Sequence, residues 1–246
     1  ENFSLNFEVC ISDNNSEISP IKIIDKYRKY FKIKFNRNEF NEGLGVNILK
    51  SVNLADGEFI WIIGSDDLIL PNTFERLNFY FKKKEIDFFL INSYHLNVDY
   101  ILKKSHPFNT FDLPKNLKSF SNYKKNKECF FFELVNPSIS FDFMLGMFLN
   151  IFRKRIWHEN LKFINQNDLK DPNIYSTFDN TAPHVKIFSY GFLNKRSFFI
   201  SESLSVNLSG VREWSAYYPF VESFRIPDVL KYYRRNGLNF VRYFFV

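Results

Sequence analysis

The stretch Ala55-Asp56-Gly57-Glu58-Phe59-Ile60-Trp61-Ile62-Ile63-Gly64-Ser65-Asp66-Asp67 decides how the chain is read. Residues 58 to 64 are a near-continuous apolar run of strand length, the kind that lies in a sheet covered on both faces. The run breaks at Ser65, and two adjacent carboxylates follow. Pro71 then suits the first turn of a helix reaching to about Lys84. The carboxyl end of a central strand is where α/β sheets place ligands. Hard carboxylate oxygens there suit Mg2+ or Mn2+, which keep open positions for substrate phosphates. A metal on this pair would neutralise charge that develops on a departing diphosphate. The pair serves equally well to cap the helix that starts near Pro71, and both readings stay open.

Working outward, Phe7 to Ser12 reads as a strand stopped by the turn formers Asp13-Asn14-Asn15-Ser16. Residues 18 to 31 carry apolar positions near helical spacing, and Lys32-Ile33-Lys34-Phe35 alternates as a second short strand. A polar, Gly-containing loop spans Asn36 to Gly45, and residues 46 to 55 look helical. Ile86 to Ile91 is another buried strand. This repetition predicts an α/β layer fold, with a mostly parallel sheet flanked by helices. Asp13 then falls on the same sheet edge as Asp66 and Asp67. A carboxylate there can accept hydrogen bonds from a nucleobase or ribose, or act as an Asx turn former.

Beyond Asn92 the pattern loosens. Residues 103 to 128 read as a long excursion rich in Lys, Asn, Ser and Pro, and structure returns from Phe130 to Arg155. The stretch Asn165 to Asn180 is polar, Phe198 to Val206 is a late strand, and Ile226 to Phe245 predicts an amphipathic terminal helix. The 246 residues carry 45% hydrophobic and 24% charged side chains, which opposes disorder. The 32 Phe are dispersed, as core filling would have them. A net charge of +6 favours anionic partners without choosing among them. Two cysteines form no disulfide framework, four histidines lack zinc-site spacing, and no apolar run reaches the roughly 18 residues of a membrane span. The chain opens at Glu1 without a Met or a signal peptide, as a fragment would. A cytoplasmic setting fits, with the inner face of the cytoplasmic membrane as an option.

The run from Phe7 to Ser16, the pattern Asn41-x-Gly43-x-Gly45-x-Asn47, and Ala55 to Asp67 together resemble family 2 glycosyltransferases, which have the GT-A (Rossmann-like) fold. The resemblance is dense over residues 5 to 80. Farther on, Gly146 to Trp157 and Asn180 to Gly191 resemble bacterial members that build cell-surface polysaccharide. It implies a sugar transferase using a nucleotide-diphosphate sugar and Mn2+ or Mg2+, with a glycan or lipid-linked glycan as acceptor. By this resemblance Asp13 would contact the donor nucleotide, Asp66 would lie near the ribose or diphosphate, and Asp67 would be the principal metal ligand. Gly43 and Asn47 would shape the nucleotide side. The fuller Asp-x-Asp-Asp pattern has Gly64 at its first position here, leaving Asp66 and Asp67, and the family's first strand would fall before Glu1. One GT-A-like domain is expected, with a nucleotide-binding half at 1–92, a looser acceptor-side half at 93–215 and a C-terminal helical tail at 216–246.

An inverting transfer needs a base to take the proton of the attacking hydroxyl, and the family places an Asp or Glu in the second half. Asp168, Asp171, Asp179 and Glu213 are candidates. Asp179 is favoured because residues 177–184 set polar groups beside a return to apolar sequence. His184 would assist as a second acid–base group or bind phosphate. The alternatives are a helix N-cap for Asp179 and a surface place for His184. Basic and aromatic residues mix from Lys231 to Phe245, which suits docking on an anionic membrane or a core-packing helix with a basic outer face. Two other functions compete: a catalytically incomplete nucleotide- or glycan-binding remnant, and a single-stranded nucleic-acid binder. Dispersed Lys and Arg, without an aromatic recognition motif, oppose the last.

Overall fold

A computed structural model describes residues 7–105, 107–173, 175–210, 216 and 218–244. The chain runs β1 (Glu8–Asp13), α1 (Ile21–Tyr27), β2 (Lys32–Arg37), α2 (Leu44–Leu54), β3 (Phe59–Trp61), β4 (Leu68–Ile69), α3 (Thr73–Phe81) and β5 (Phe88–Asn97). There follow α4 (Asp99–Leu102), β6 (Lys118–Ser119), β7 (Lys127–Phe130), β8 (Asn150–Arg153), α5 (Lys154–Asn160), α6 (Gln166–Leu169) and α7 (Phe178–Thr181). The chain closes with α8 (Pro183–Gly191), β9 (Arg196–Ser209), α9 (Tyr218–Arg235) and α10 (Phe240–Phe244).

The expected α/β layering is present, and the sheet is mixed. β1 and β2 pair in parallel, as do β5 and β9, while β3–β8, β8–β5, β4–β9, β5–β6 and β7–β9 are antiparallel. The large sheet has the order β3-β8-β5-β9-β4, and β1–β2 forms a separate pair. Among the described residues, β1 and β3 each use one edge only. Alternation in β5 explains why its apolar run is continuous: Phe88 and Leu90 enter one core, and Phe89 and Ile91 enter the other.

The larger core absorbs much of the phenylalanine. Phe88 meets Phe131 edge-on at 4.7 Å and Phe188 at 5.1 Å, and Phe152 stacks on Trp157 at 4.8 Å. Offset and edge-on rings contribute beyond their buried area. α2 lays Ile48 and Val52 into this core, which also takes up Cys10 of β1. The C-terminal segment departs from the single helix expected. Gly237, at φ +114°, ends α9, and the amide of Leu238 donates back to the Tyr233 carbonyl. This left-handed stop is the habitual glycine termination of a helix. α10 starts afresh three residues later.

Candidate active site

β3 ends at Trp61, whose indole N–H donates to the Phe148 carbonyl at 2.8 Å. The next residues fold into a tight turn instead of extending the strand. Asp67 closes the turn: its Oδ2 accepts from the Gly64 amide at 2.6 Å, and its own amide donates to the Gly64 carbonyl at 3.2 Å. Asp67 Oδ1 accepts from Asn207 Nδ2 of β9 at 2.9 Å, so one carboxylate joins the turn to the sheet. Ser65 is exposed, and Asp66 and Asp67 are half-buried. The capping alternative does not hold. α3 begins at Thr73 after Asn72, which sits at φ +62° with no side-chain cap.

At the end of β1 a second polar cluster forms. Asp13 is buried, with Oδ1 accepting from the Ser16 amide at 2.9 Å and Oδ2 from Arg37 Nη1 at 2.8 Å. Burial opposes its charge, but the hydrogen bonds from Ser16 and the Arg37 guanidinium prevail and hold its pKa below the usual carboxylate value. Asn47 of α2 receives the Ser12 hydroxyl at 2.7 Å and donates to the Ser12 carbonyl at 3.0 Å. Asn14 accepts from the Glu42 amide and from Asn38, and donates to Asn41. Gly43, at φ +87° and ψ 163°, takes a backbone conformation reserved for glycine. Gly45 brings α2 directly against the backbone of Asp179. The motif spacing from Asn41 to Asn47 therefore records a side-chain network joining the β1 loop to the head of α2.

Asp179 is 1% exposed. Its Oδ2 accepts from the Asn165 amide at 2.6 Å and pairs with Lys186 Nζ at 2.7 Å. Among the described residues its Oδ1 has no hydrogen-bond partner. It is not the helix cap, since Thr177 caps α7 by accepting from the Asn180 amide at 3.1 Å. Asp171 accepts from Asn173 within its own loop, and Asp168 is half-buried in α6. Glu213 lies outside the described residues.

His184 is 2% exposed, not superficial, and its Nε2 lies 2.8 Å from the Leu145 carbonyl. Burial lowers its pKa to about 4, so the ring is neutral and Nε2–H is the donor. It is one of four side chains gripping residues 140–146. Asp142 Oδ1 accepts from Ser140 Oγ and the Met144 amide, and its Oδ2 accepts from the Gly146 amide at 2.7 Å. Burial pushes the Asp142 carboxyl upward against these bonds. Asn150 donates to the Met144 and Gly146 carbonyls, and Tyr233 donates to the Phe143 carbonyl. Phe143 and Met144 are held at φ +52° and +69°.

The structure thus gathers Asp13, Gly43 and Asn47 around the head of α2, with Asp179 behind Gly45. Asp66 and Asp67 sit on the turn after β3, and His184 lies beneath the 140–146 loop. Sequence reasoning missed Glu8, whose Oε1 accepts from the Asp56 and Gly57 amides and so ties β1 to the approach of β3. It also missed Asn207, 140 residues from Asp67 in the chain, and Lys186, only seven residues from Asp179. Among the described residues no three His, Cys, Asp or Glu side chains cluster as a ready-made metal site.

The sequence profile described as Glycosyl transferase family 2 matches residues 1–156. The chain belongs to this family. Over 82 residues it is 42% identical to the abequosyltransferase RfbV of Salmonella typhimurium, a match covering 32% of this chain and 25% of RfbV. Over 103 residues it is 33% identical to the uncharacterized glycosyltransferase MJ1057 of Methanocaldococcus jannaschii, covering 40% of this chain and 35% of that protein. The chain therefore spans a quarter to about a third of the length of these relatives. Its fold is similar to that of S. aureus TarS 1–349 in complex with UDP-GlcNAc, with a TM-score of 0.60, 19% identity, and coverage of 91% of this chain and 57% of TarS. The TarS complex with UDP matches at a TM-score of 0.57 and 19% identity, over 95% of this chain and 56% of that one. At this identity the likeness shows the GT-A fold.

Proposed function

We propose that this chain of glycosyl transferase family 2 transfers a sugar from a nucleotide-diphosphate donor to a growing cell-surface glycan, with inversion. The supporting observation is the Gly64–Asp67 turn, which fixes the Asp67 carboxylate beside half-buried Asp66 just past the carboxyl end of β3. Two adjacent carboxylates at the end of a strand supply the hard oxygen ligands that suit a divalent cation taking its remaining ligands from water and phosphate. Mn2+ or Mg2+ held by Asp67 and Asp66 would neutralise charge on the leaving diphosphate. Asp13, Gly43 and Asn47 belong on the nucleotide side, in a half formed by residues 1–92, and the acceptor meets the half formed by residues 93–215.

In the transfer, the acceptor oxygen bonds to the anomeric carbon as the bond to the diphosphate breaks. The proton leaves to Asp179, whose Oδ1 is buried and has no hydrogen-bond partner among the described residues, so the acceptor reaches it only when the packing around α7 opens. Lys186 and the Asn165 amide fix Oδ2. His184 takes a positioning role through Leu145.

Among the described residues no helix is long and apolar enough to cross a membrane. We place the site on the cytoplasmic side, with peripheral contact through α10. That helix exposes Phe240, Val241 and Phe244 while Arg242 turns back to the Glu133 carbonyl. The deciding experiment is a thermal-shift panel of UDP, GDP, CDP and dTDP with and without Mn2+. A ligand of the native state must raise the apparent melting temperature. One diphosphate should stabilise, and more so with metal. No shift with any of the four overturns the reading.

A further inference from the structure

Between residues 120–123 and 137–141 lies a cavity of about 440 Å3 whose lining side chains bear no charge. Its floor is aromatic: Phe141 stacks on Phe120 with ring centroids 4.7 Å apart and planes at 22°. Phe141 remains 47% exposed. Tyr123 closes one side, and Ser121, Asn122 and Ser138 supply the polar rim. Both halves of the floor are fixed from behind. The Phe120 amide donates to the Ser93 carbonyl at 2.7 Å, and Ser121 exchanges two bonds with the buried Asn92 side chain. Phe141 lies in the loop gripped by Asp142, Asn150, His184 and Tyr233, which holds the non-glycine residues Phe143 and Met144 at positive φ. Strain of this kind persists where the surroundings over-determine it, and it concentrates at ligand sites.

A chain of contacts links the cavity wall to the carboxylate turn. Asp67 is bonded to Asn207. Asn207 is the register partner of His95 in the parallel β5–β9 ladder, so both side chains leave the same face of the sheet. The His95 ring lies 5.0 Å from that of Phe120.

We infer that the Phe141–Phe120 platform, rimmed by Asn122 and Ser138, is a subsite for a neutral pyranose of the acceptor glycan, an assignment that rests on the proposed transferase function. A pyranose offers a flat C–H face and a ring of hydroxyls. An exposed, pre-positioned aromatic face takes the first with little loss of side-chain freedom, and amide and hydroxyl groups pair with the second. Uncharged walls disfavour a phosphate here and leave the diphosphate to the carboxylate turn.

The test is saturation-transfer NMR of the full-length protein with methyl glycosides of glucose, galactose, mannose, rhamnose and N-acetylglucosamine, and with octyl glucoside. At least one methyl glycoside should receive saturation through its C–H face. Phe141→Ala should weaken that binding by roughly 3- to 10-fold, the scale of one aromatic contact, and Phe141→Tyr should restore it. Ser138→Trp, on the exposed wall, should block the cavity without opening the core, so the test survives if Phe141→Ala folds poorly. Undiminished saturation in both variants, or none with any methyl glycoside, overturns the subsite. Saturation confined to the octyl chain assigns an acyl occupant and also overturns it. Nucleoside diphosphate binding, followed in parallel by thermal shift, reports separately on the transferase reading.

Discussion

A β-carbon on Gly45 would stand 2.8 Å from the backbone carbonyl oxygen of Asp179. The head of α2 and the start of α7 therefore touch through main chain, with no side chain to yield between them. In Gly45→Ala, better helix propensity would contribute about 1 kcal/mol. The clash with backbone and with Leu169 Cδ1 should cost about 1–3 kcal/mol and prevail. A melting temperature lower by a few degrees is expected, and a rise would refute the packing argument. Gly43→Ala separates the two effects. That position has open space but φ +87°, so it should lose about 1–3 kcal/mol to strain alone.

Asp67→Asn should abolish metal-dependent binding of nucleoside diphosphate, while Asp66→Asn weakens it less. The fold should weaken as well, because both Asp67 oxygens accept hydrogen bonds. An amide must turn an NH2 toward either the Gly64 amide or Asn207, which costs about 1–3 kcal/mol. Titrations with and without Mn2+, beside urea melts, measure both. Unaltered metal dependence in Asp67→Asn would remove the motif from the site.

Asp179→Asn should lower turnover by about a hundredfold or more while donor binding persists. It also strands Lys186, and breaking a buried pair costs about 3–5 kcal/mol. The double variant Asp179→Asn with Lys186→Met separates chemistry from stability. It should recover much of the stability and none of the turnover. Recovered turnover would pass the role of base to Asp168, Asp171 or Glu213.

Much of the first ninety residues was legible because local signals agree with the tertiary result. β1, α1, β2, α2 and α3 lie within the predicted segments, give or take a residue or two, while β5 begins where expected but runs on six residues beyond Ile91, to Asn97. The paired carboxylates stood out because they interrupt an apolar run. Antiparallel pairing of β8 and β4 was not legible, since a short buried run such as Asn150–Arg153 carries no mark of direction. Nor was the partner Asn207, because a contact 140 residues away in the chain leaves no spacing to read; Lys186 lies only seven residues from Asp179, a spacing that could have been read. Burial of His184 was hidden for a related reason: its acceptor is a carbonyl, which any residue could supply.

Acid should expose His184. Its pKa is about 4 in the fold against an ordinary 6.5. Below 6.5 the unfolded chain gains a proton that the native state refuses, so stability falls as pH drops toward 4 and this loss then levels off. The full effect is roughly 3 kcal/mol. His184→Gln keeps an N–H donor for the Leu145 carbonyl but does not titrate. The gap between its urea midpoints at about pH 7 and about pH 5 should be narrower than that of the parent, and an equal gap would refute the assignment.

Contact with anionic membranes through α10 should appear in liposome co-sedimentation that weakens with salt. Phe240→Ser with Phe244→Ser should reduce it without unfolding the chain, since both side chains are well exposed. Binding that is absent, or indifferent to these changes, rules out this surface.

The grip on residues 140–146 comes from below, through Asp142, Asn150, His184 and Tyr233, and none of the four bonds involves the outward ring at position 141. Shape and surface chemistry of the loop are therefore separately encoded. Natural drift or laboratory libraries can exchange the group displayed at 141 while the peptide course beneath it stays put. Variation at this position, with Asn122 and Ser138 opposite, offers a short route to new sugar preferences on an unaltered frame.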